Sequence, residues 1–244
     1  MARVLLVTGA SRGIGAAIAR LAARDGWDVG VNYVANEARA NAIVAAVEAA
    51  GRRAVAIRAD VSVEAEAVRL FMECEARLGP LGGLVNNAGV ITAYGRVDAL
   101  SGEALQRNFA VNTVAYFLCA REAVRRLSTR HGGSGGVIVN VSSRAASMGM
   151  PGEYVHYAAS KAAVNALTTG LALEVAAEGI RVASVSPGLI DTEIQMPDRF
   201  ARIAPTTPMR RAGSAEEVAE AVVWLLSDKA SYVTGADLLV TGGR

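Results

Sequence analysis

The sequence predicts an α/β fold, a doubly wound sheet of about seven parallel strands with helices on both faces. Three observations carry that reading. Short runs of Val, Ile and Leu recur along the chain, amphipathic helical patterns separate them, and no composition break divides the chain. Parallel strands need long crossovers, and helices supply them. The 244 residues are 52% hydrophobic but only 5% aromatic. That surplus is mostly Ala and Val, which suits a Val-rich buried sheet under Ala-rich helices.

Strands are expected at residues 4–7, 29–31, 54–57, 84–85, 137–141, 182–185 and 238–240. Between them, Ile14, Ile18 and Leu21 share one helical face, as do Ile43, Val44 and Val47, and then Ala67, Leu70, Phe71, Cys74 and Leu78. Ser214 and Glu217 form a capping box ahead of Val218, Ala221, Val222 and Leu225. The glycine-rich run 132–136 reads as a short turn. Residues 189–209 stand out, with Pro197, Pro205 and Pro208 beside exposed-looking Met196 and Phe200. A structureless stretch of that length is a functional lid or disordered. The expected organisation is one catalytic domain over 1–244 with a substrate loop at about 189–209.

Composition excludes several classes. A net charge of +2 is too small to argue for a nucleic-acid or membrane partner. Cys74 and Cys119 lie in no metal-ligand spacing and are expected as buried thiols in a reducing compartment. Two histidines, His131 and His156, without an acidic or thiol cluster give no metal site. The apolar run at 4–7 is too short for a secretory signal, and no stretch approaches the roughly 18 residues of a membrane span. A soluble cytoplasmic protein is expected.

Four motifs carry chemistry. Thr8-Gly9-Ala10-Ser11-Arg12-Gly13-Ile14-Gly15 joins the first strand to a helix. Glycines there allow close approach to a pyrophosphate, and the helix N-terminus offers free N–H groups. The second motif is an absence: the second strand ends Asn32-Tyr33-Val34-Ala35, where an NAD-binding fold often has an acid. A 2′-phosphate would not be repelled, and Arg12 is the one cation placed to pair with it, unless it is simply solvated. Third, Tyr157 and Lys161 stand four residues apart on a predicted helix and project side by side. A phenol with an ordinary pKa of about 10 becomes a usable acid/base beside a fixed cation. Fourth, Ser142-Ser143 follows the fifth strand, at the end of the sheet where ligands bind.

With these blocks in hand, the chain resembles the short-chain dehydrogenase/reductase family over essentially its whole length. The matching blocks run in family order: Thr8–Gly15, Asp60-Val61, Asn86-Asn87-Ala88-Gly89, Asn112, Ser142-Ser143, Tyr157 with Lys161, and Pro187-Gly188. The resemblance implies a Rossmann-type seven-stranded sheet and a catalytic tetrad of Asn112, Ser143, Tyr157 and Lys161. Ser143 would polarise the carbonyl oxygen, with a minority claim for Ser142. Tyr157 would give or take the proton. Lys161 would hold the nicotinamide ribose and lower the tyrosine pKa, and Asn112 would anchor a water leading to solvent. Gly9, Ser11, Arg12, Gly13, Ile14 and Gly15 would hold the pyrophosphate, and Asn32 and Tyr33 the adenine ribose. Asp60 and Val61 would meet the adenine, though Asp60 could equally cap its turn. Asn86 to Gly89 would line the cofactor floor, Ile190 and Thr192 would hold the carboxamide, and Pro187 and Gly188 would also bind the cofactor.

The reaction this implies is hydride transfer between NADP(H) and a small-molecule carbonyl or secondary alcohol. A 3-oxoacyl-carrier-protein reductase has a very similar scaffold, but Glu178 replaces a basic carrier-docking residue, leaving Arg125, Arg126 and Arg130 nearby. A non-catalytic NADP-sensing protein would be expected to lose Tyr157 or Lys161. Specificity should lie in 189–209, 92–96 and 147–152, with Arg144 a candidate for an anionic substrate and His156 a rim or packing residue. Small residues at Ala158, Ala162, Ala166 and Gly170, with Leu173, point to helix pairing in a homotetramer, failing that a dimer.

Overall fold

The computed structural model describes residues 3–193 and 197–244. The strands are β1 (Arg3–Val7), β2 (Trp27–Tyr33), β3 (Ala54–Arg58), β4 (Leu81–Asn86), β5 (Gly136–Val141), β6 (Ile180–Pro187) and β7 (Asp237–Val240). They form one parallel sheet in the order β3-β2-β1-β4-β5-β6-β7. The chain therefore starts in the middle, builds one half outward, and returns past β1 to build the other. That reversal between β1 and β4 opens a crevice at the carboxyl ends of the strands.

The helices are α1 (Gly13–Arg24), α2 (Glu37–Ala49), α3 (Glu64–Leu78), α4 (Gly102–Phe109), α5 (Ala115–Leu127), α6 (Ala145–Met148), α7 (Val155–Val175), α8 (Pro197–Ile203) and α9 (Ala215–Leu226). α1, α2 and α9 cover one face, where Ile18, Ile43 and Val222 pack on Val7, Val31 and Val139. α3, α5 and α7 cover the other, where Leu70, Phe71, Cys119 and Val175 pack on Leu6, Leu84 and Ile138. Each such aliphatic side chain contributes about 1.5–3 kcal/mol on burial. Cys74 and Cys119 are free and buried, and burial pushes both thiols up to about 12, so neither is a reactive thiolate.

All seven strands outrun their apolar runs, β2, β4 and β6 by four residues each. β2 begins at Trp27 and includes buried Asp28 and Asn32, whose polar character hid the strand's ends. β4 runs through Gly82 and Gly83: Gly83 pairs with Leu5 and Val137, and Gly82 falls in a register shift. A Cβ on Gly83 would stand 3.1 Å from Leu5 Cδ1 and 3.4 Å from the Trp27 ring, so the missing side chain makes room for the tryptophan. Residues 189–209 depart from the expected structureless loop. They contain α8 and a 3₁₀ turn, Ala204–Thr206. Pro197 opens α8, where its missing N–H costs nothing, so a residue read as a breaker is a starter. Phe200 is half-buried, and Met196 lies outside the described residues. The capping box on α9 forms, with Ser214 Oγ accepting from Glu217 N–H at 3.2 Å and Glu217 Oε2 from Ser214 N–H at 2.8 Å.

The turn from β1 into α1 leaves no space at Gly15. A Cβ there would lie 2.5 Å from Asn87 Nδ2 and 2.6 Å from Gly9 O. Gly15→Ala is expected to destabilise the protein by about 1–3 kcal/mol. Thermal unfolding followed by circular dichroism should register it at about 2–4 °C per kcal/mol. An unshifted midpoint would show that the turn yields freely.

Candidate active site

The cradle is built by hydrogen bonds across the sheet reversal. Thr8 Oγ1 accepts from Asn87 N–H (2.9 Å) and Ala88 N–H (3.1 Å), while Asn87 Nδ2 donates to Thr8 O (2.8 Å) and Gly9 O (3.1 Å). Buried Asn32 accepts from Gly9 N–H at 3.0 Å and donates to Ala59 O at 2.9 Å, tying the turn to the end of β3. Gly9 and Gly13 sit at φ +62° and +54°, a region that suits glycine. No side chain caps α1, and its first turn carries no acid. Its leading N–H groups are thus left for an anion, as a pyrophosphate requires. The residues present fit a dinucleotide.

A cleft of about 710 Å³ runs from Arg12 and Tyr33, over Gly13 and Ala88, to Ser143, Tyr157 and Lys161. The residues expected to bind cofactor or catalyse border it, except Gly15, Asn86 and Asn112. Gly15 is packed behind the turn. Asn86 donates to Asn140 Oδ1 (3.0 Å), Asn140 donates to Thr168 Oγ1 (2.9 Å), and Thr168 donates to Val164 O (2.9 Å). Asn86 therefore sits in a buried polar seam joining β4, β5 and α7 rather than on the cofactor floor. Asn112 lies in a π turn, Ala110–Val114, between α4 and α5. Its Oδ1 accepts from Val90 N–H (2.9 Å), and its Nδ2 donates to Val90 O (2.8 Å) and Asn108 Oδ1 (2.9 Å). Both amide protons are spent on shaping the wall.

Tyr157 and Lys161 emerge from the first turns of α7 opposite the segment after β5. Ser143 faces the Tyr157 phenol closely enough to pull its pKa down. Ser142 instead is buried and donates to Lys161 O at 3.1 Å, so the second serine is the one brought to the tyrosine. Burial pushes the Tyr157 phenol up to about 12, against the opposing pull of Ser143. Lys161 Nζ lies 5.9 Å from the Tyr157 ring centroid and donates to Tyr116 OH (2.9 Å) and Val141 O (2.8 Å). Burial lowers Lys161 to about 7. The lysine was expected to depress the tyrosine pKa. Burial raises the phenol and Ser143 opposes it, while two of the ammonium's donors go to Tyr116 and Val141.

A family model described as enoyl-(acyl carrier protein) reductase matches residues 9–244. The uncharacterized oxidoreductase YgfF of Escherichia coli is 50% identical over 245 residues, covering 99% of each chain. The L-rhamnose 1-dehydrogenase (NAD(P)(+)) of a Sphingomonas species is 40% identical over 248 residues, covering 99% of this chain and 95% of its own. Among solved structures, a blue fluorescent protein from a metagenomic library, in complex with NADPH, superposes with a TM-score of 0.92 at 36% identity, covering 99% of this chain and 97% of its own. The chain belongs to the short-chain dehydrogenase/reductase family. As a short-chain dehydrogenase/reductase it is an oxidoreductase of the alcohol/carbonyl type that works with a nicotinamide cofactor.

Around this family core stand residues that sequence reasoning missed. Tyr154 packs edge-on to both Tyr94 and Tyr157, with ring centroids 5.6 Å apart in each pair. Arg199 of α8 lies over the Tyr154 ring at 5.0 Å and pairs with Glu153, which also takes Arg202 at 2.8 Å. α8 is thereby fastened to the segment that leads into Tyr157. At the far corner, Arg12 is not the sole cation: Arg39 borders the cleft there too. Both guanidinium groups pair with Glu193, at 3.2 Å and 2.8 Å. Arg39 was legible in principle, since Asn36 caps α2 by accepting from Arg39 N–H at 2.9 Å and so sets it in the first turn.

Two of the remaining candidates, Asp60 and Arg144, have structural partners. Asp60 accepts from Ser62 N–H (3.0 Å) and Ser62 Oγ (2.6 Å) and pairs with Arg107 (3.1 Å), so it caps its turn while bordering the cleft. Arg144 donates to Arg244 O (2.8 Å) and Ser147 Oγ (2.7 Å). His156 is buried off the cleft, and burial lowers its pKa. Among the described residues no cluster of His, Cys, Asp and Glu could hold a metal ion, and no helix is long and apolar enough to cross a membrane.

Proposed function

We propose that the protein is an NADP(H)-dependent carbonyl reductase/alcohol dehydrogenase in which Ser143, Tyr157 and Lys161 do the chemistry. The observation that carries this is the convergence of Ser143 and Tyr157 at one end of the cleft, with Lys161 one helical turn behind. Two hydroxyl donors converge there on the place of one substrate oxygen. Bound nicotinamide would supply or accept the hydride. Ser143 orients and polarises the oxygen, and Tyr157 hands it a proton. Burial keeps the phenol protonated at neutral pH, the form that can hand over a proton. Lys161, bordering the cleft, binds the nicotinamide ribose. Asn112 holds the wall in shape. Arg12 and Arg39 receive the 2′-phosphate, and no acid ends β2 to repel it.

The substrate end is lined by Ile91, Met148, Met150, Tyr154 and Leu189, and the 189–209 segment with α8 closes it as the substrate loop. The carrier-protein-linked 3-oxoacyl reductase is less well supported. Glu178 accepts from Ser128 Oγ at 2.5 Å and pairs with Arg130 at 3.0 Å, and Arg125 and Arg126 are drawn onto buried Glu122. The basic patch that an acidic carrier would need is internally neutralised. Exposed Phe117 on α5 and Leu173 on α7 leave apolar surface that a homotetramer, or a dimer, would cover.

Consumption of NADPH against ketones, quinones, sugars and acyl thioesters tests the assignment. Ser143→Ala is expected to cost about a hundred-fold in kcat, while Ser142→Ala costs far less. The reverse order would pass the role to Ser142. Cofactor binding without turnover on any carbonyl class would favour a sensing role instead.

A further inference from the structure

Tyr116 belongs to none of the motifs. It lies on α5, four residues after Asn112, with its ring and hydroxyl buried at 1% exposure. Its hydroxyl donates to Val141 O at 2.9 Å and accepts from Lys161 Nζ at 2.9 Å, while Lys161 donates to the same carbonyl at 2.8 Å. The ammonium also stands 4.6 Å from the Tyr116 ring centroid, within range of a cation–π attraction.

We infer that Tyr116 is a positioning residue for the reaction: its hydroxyl, set between Lys161 and the Val141 carbonyl, favours the ammonium form of Lys161 and aims it at the cleft. This rests on the role proposed above for Lys161. Burial should otherwise discharge that group, because Nζ is enclosed with no carboxylate paired to it among the described residues. The groups facing it can be named by element. Tyr157 comes from its own helix, Tyr116 from α5 with Cys119 beyond it, and the Val141 carbonyl from β5. After β4, a Cβ on Gly89 would come within 3.7 Å of Nζ, with Asn112 behind it. None of these is an anion at neutral pH, since burial raises both tyrosines and Cys119.

The direction follows from counting protons. A phenol has one, and here it goes to Val141 O, so the oxygen turns lone pairs toward Nζ. An ammonium satisfies that arrangement fully: one N–H to Tyr116, one to Val141, and the third left for the cleft that Lys161 borders. A neutral amine could still reach both acceptors with its two N–H bonds, but an ammonium donates to them far more strongly, so two uncharged acceptors held at Nζ favour the charged form. The hydroxyl therefore opposes the discharge that burial promotes. The register that delivers it is set upstream, because Asn112 is bound on both edges of its amide to Val90.

The sequence contains two lysines, Lys161 and Lys229, so protein labelled with ¹³Cε-lysine gives two resonances to follow. Lys229→Arg assigns them. In cofactor-free protein, Lys161 is expected to titrate near 7. In Tyr116→Phe, which keeps the ring and loses one oxygen, the midpoint should fall by about one unit or more. Tyr116→Met, lacking the ring as well, should move it at least as far. The Lys229 signal reports an intact fold. A midpoint that stays in place or rises in Tyr116→Phe overturns the inference. The titration is read without cofactor or substrate, so its outcome stands apart from whether the proposed activity does. NADPH affinity, followed by cofactor fluorescence, should lose strength at a lower pH in the variant than in the unmodified protein, and superimposable pH profiles would also overturn it.

Discussion

Tyr157→Phe is expected to lower kcat by about a hundred- to ten-thousand-fold while leaving the dissociation constants for NADPH and NADH unchanged. The phenol oxygen is the only atom lost. The ring would keep its edge-on contact with Tyr154, and Lys161 would keep its bonds to Tyr116 and Val141. Ser143 would still reach the substrate oxygen, yet it has no proton to give without a partner to replenish it. Stopped-flow turnover and fluorescence titration of the cofactor separate the two effects. Turnover within about ten-fold of the parent would show that another group delivers the proton.

The second large effect is expected at the adenine ribose. The unmodified protein should bind NADPH more tightly than NADH, and Tyr33→Asp should reverse that order by placing a carboxylate against the phosphate. Arg12→Ala and Arg39→Ala should each weaken NADPH by about ten- to a hundred-fold and leave NADH little changed. The finding that qualifies this is Glu193, which already engages both arginines. Those pairs are half-exposed and weak. A phosphate, with more charge and more acceptor atoms, should displace the carboxylate. Equal dissociation constants for the two cofactors, or a tighter one for NADH, would remove the NADP assignment.

The sheet, the helices and the order of the motifs were legible because each rests on local periodicity or on a turn with a fixed chemical demand. Tyr157 and Lys161 announced themselves through helical spacing. What stayed hidden depends on which side of a residue faces what. Asn86 and Asn87 are neighbours of the same type, yet one is turned into the sheet and the other onto Thr8. Nothing in their order separates the two. That the Asn112 side chain staples Val90 could not be read from its place in the sequence either. α8 was missed because Pro197, Pro205 and Pro208 were counted as breakers without regard to position. Arg199 was missed with it, since its partner Glu153 lies 46 residues away in sequence.

The seam through Asn86, Asn140 and Thr168 has a consequence for angle. Ala and Val faces like those packing α7 on the sheet are smooth, and such faces tolerate a helix rolling a few degrees about its axis at little cost. Hydrogen bonds do not, because they fall off steeply with direction. Thr168 lies seven residues beyond Lys161, two turns along the same stripe, and it is held through Asn140 to the middle of the sheet. Rolling α7 would have to break that bond inside a dry interior. The seam acts as a keyway: apolar packing seats the shaft, and three short polar side chains fix its rotation, and with it the bearing of Tyr157 and Lys161 on the cleft.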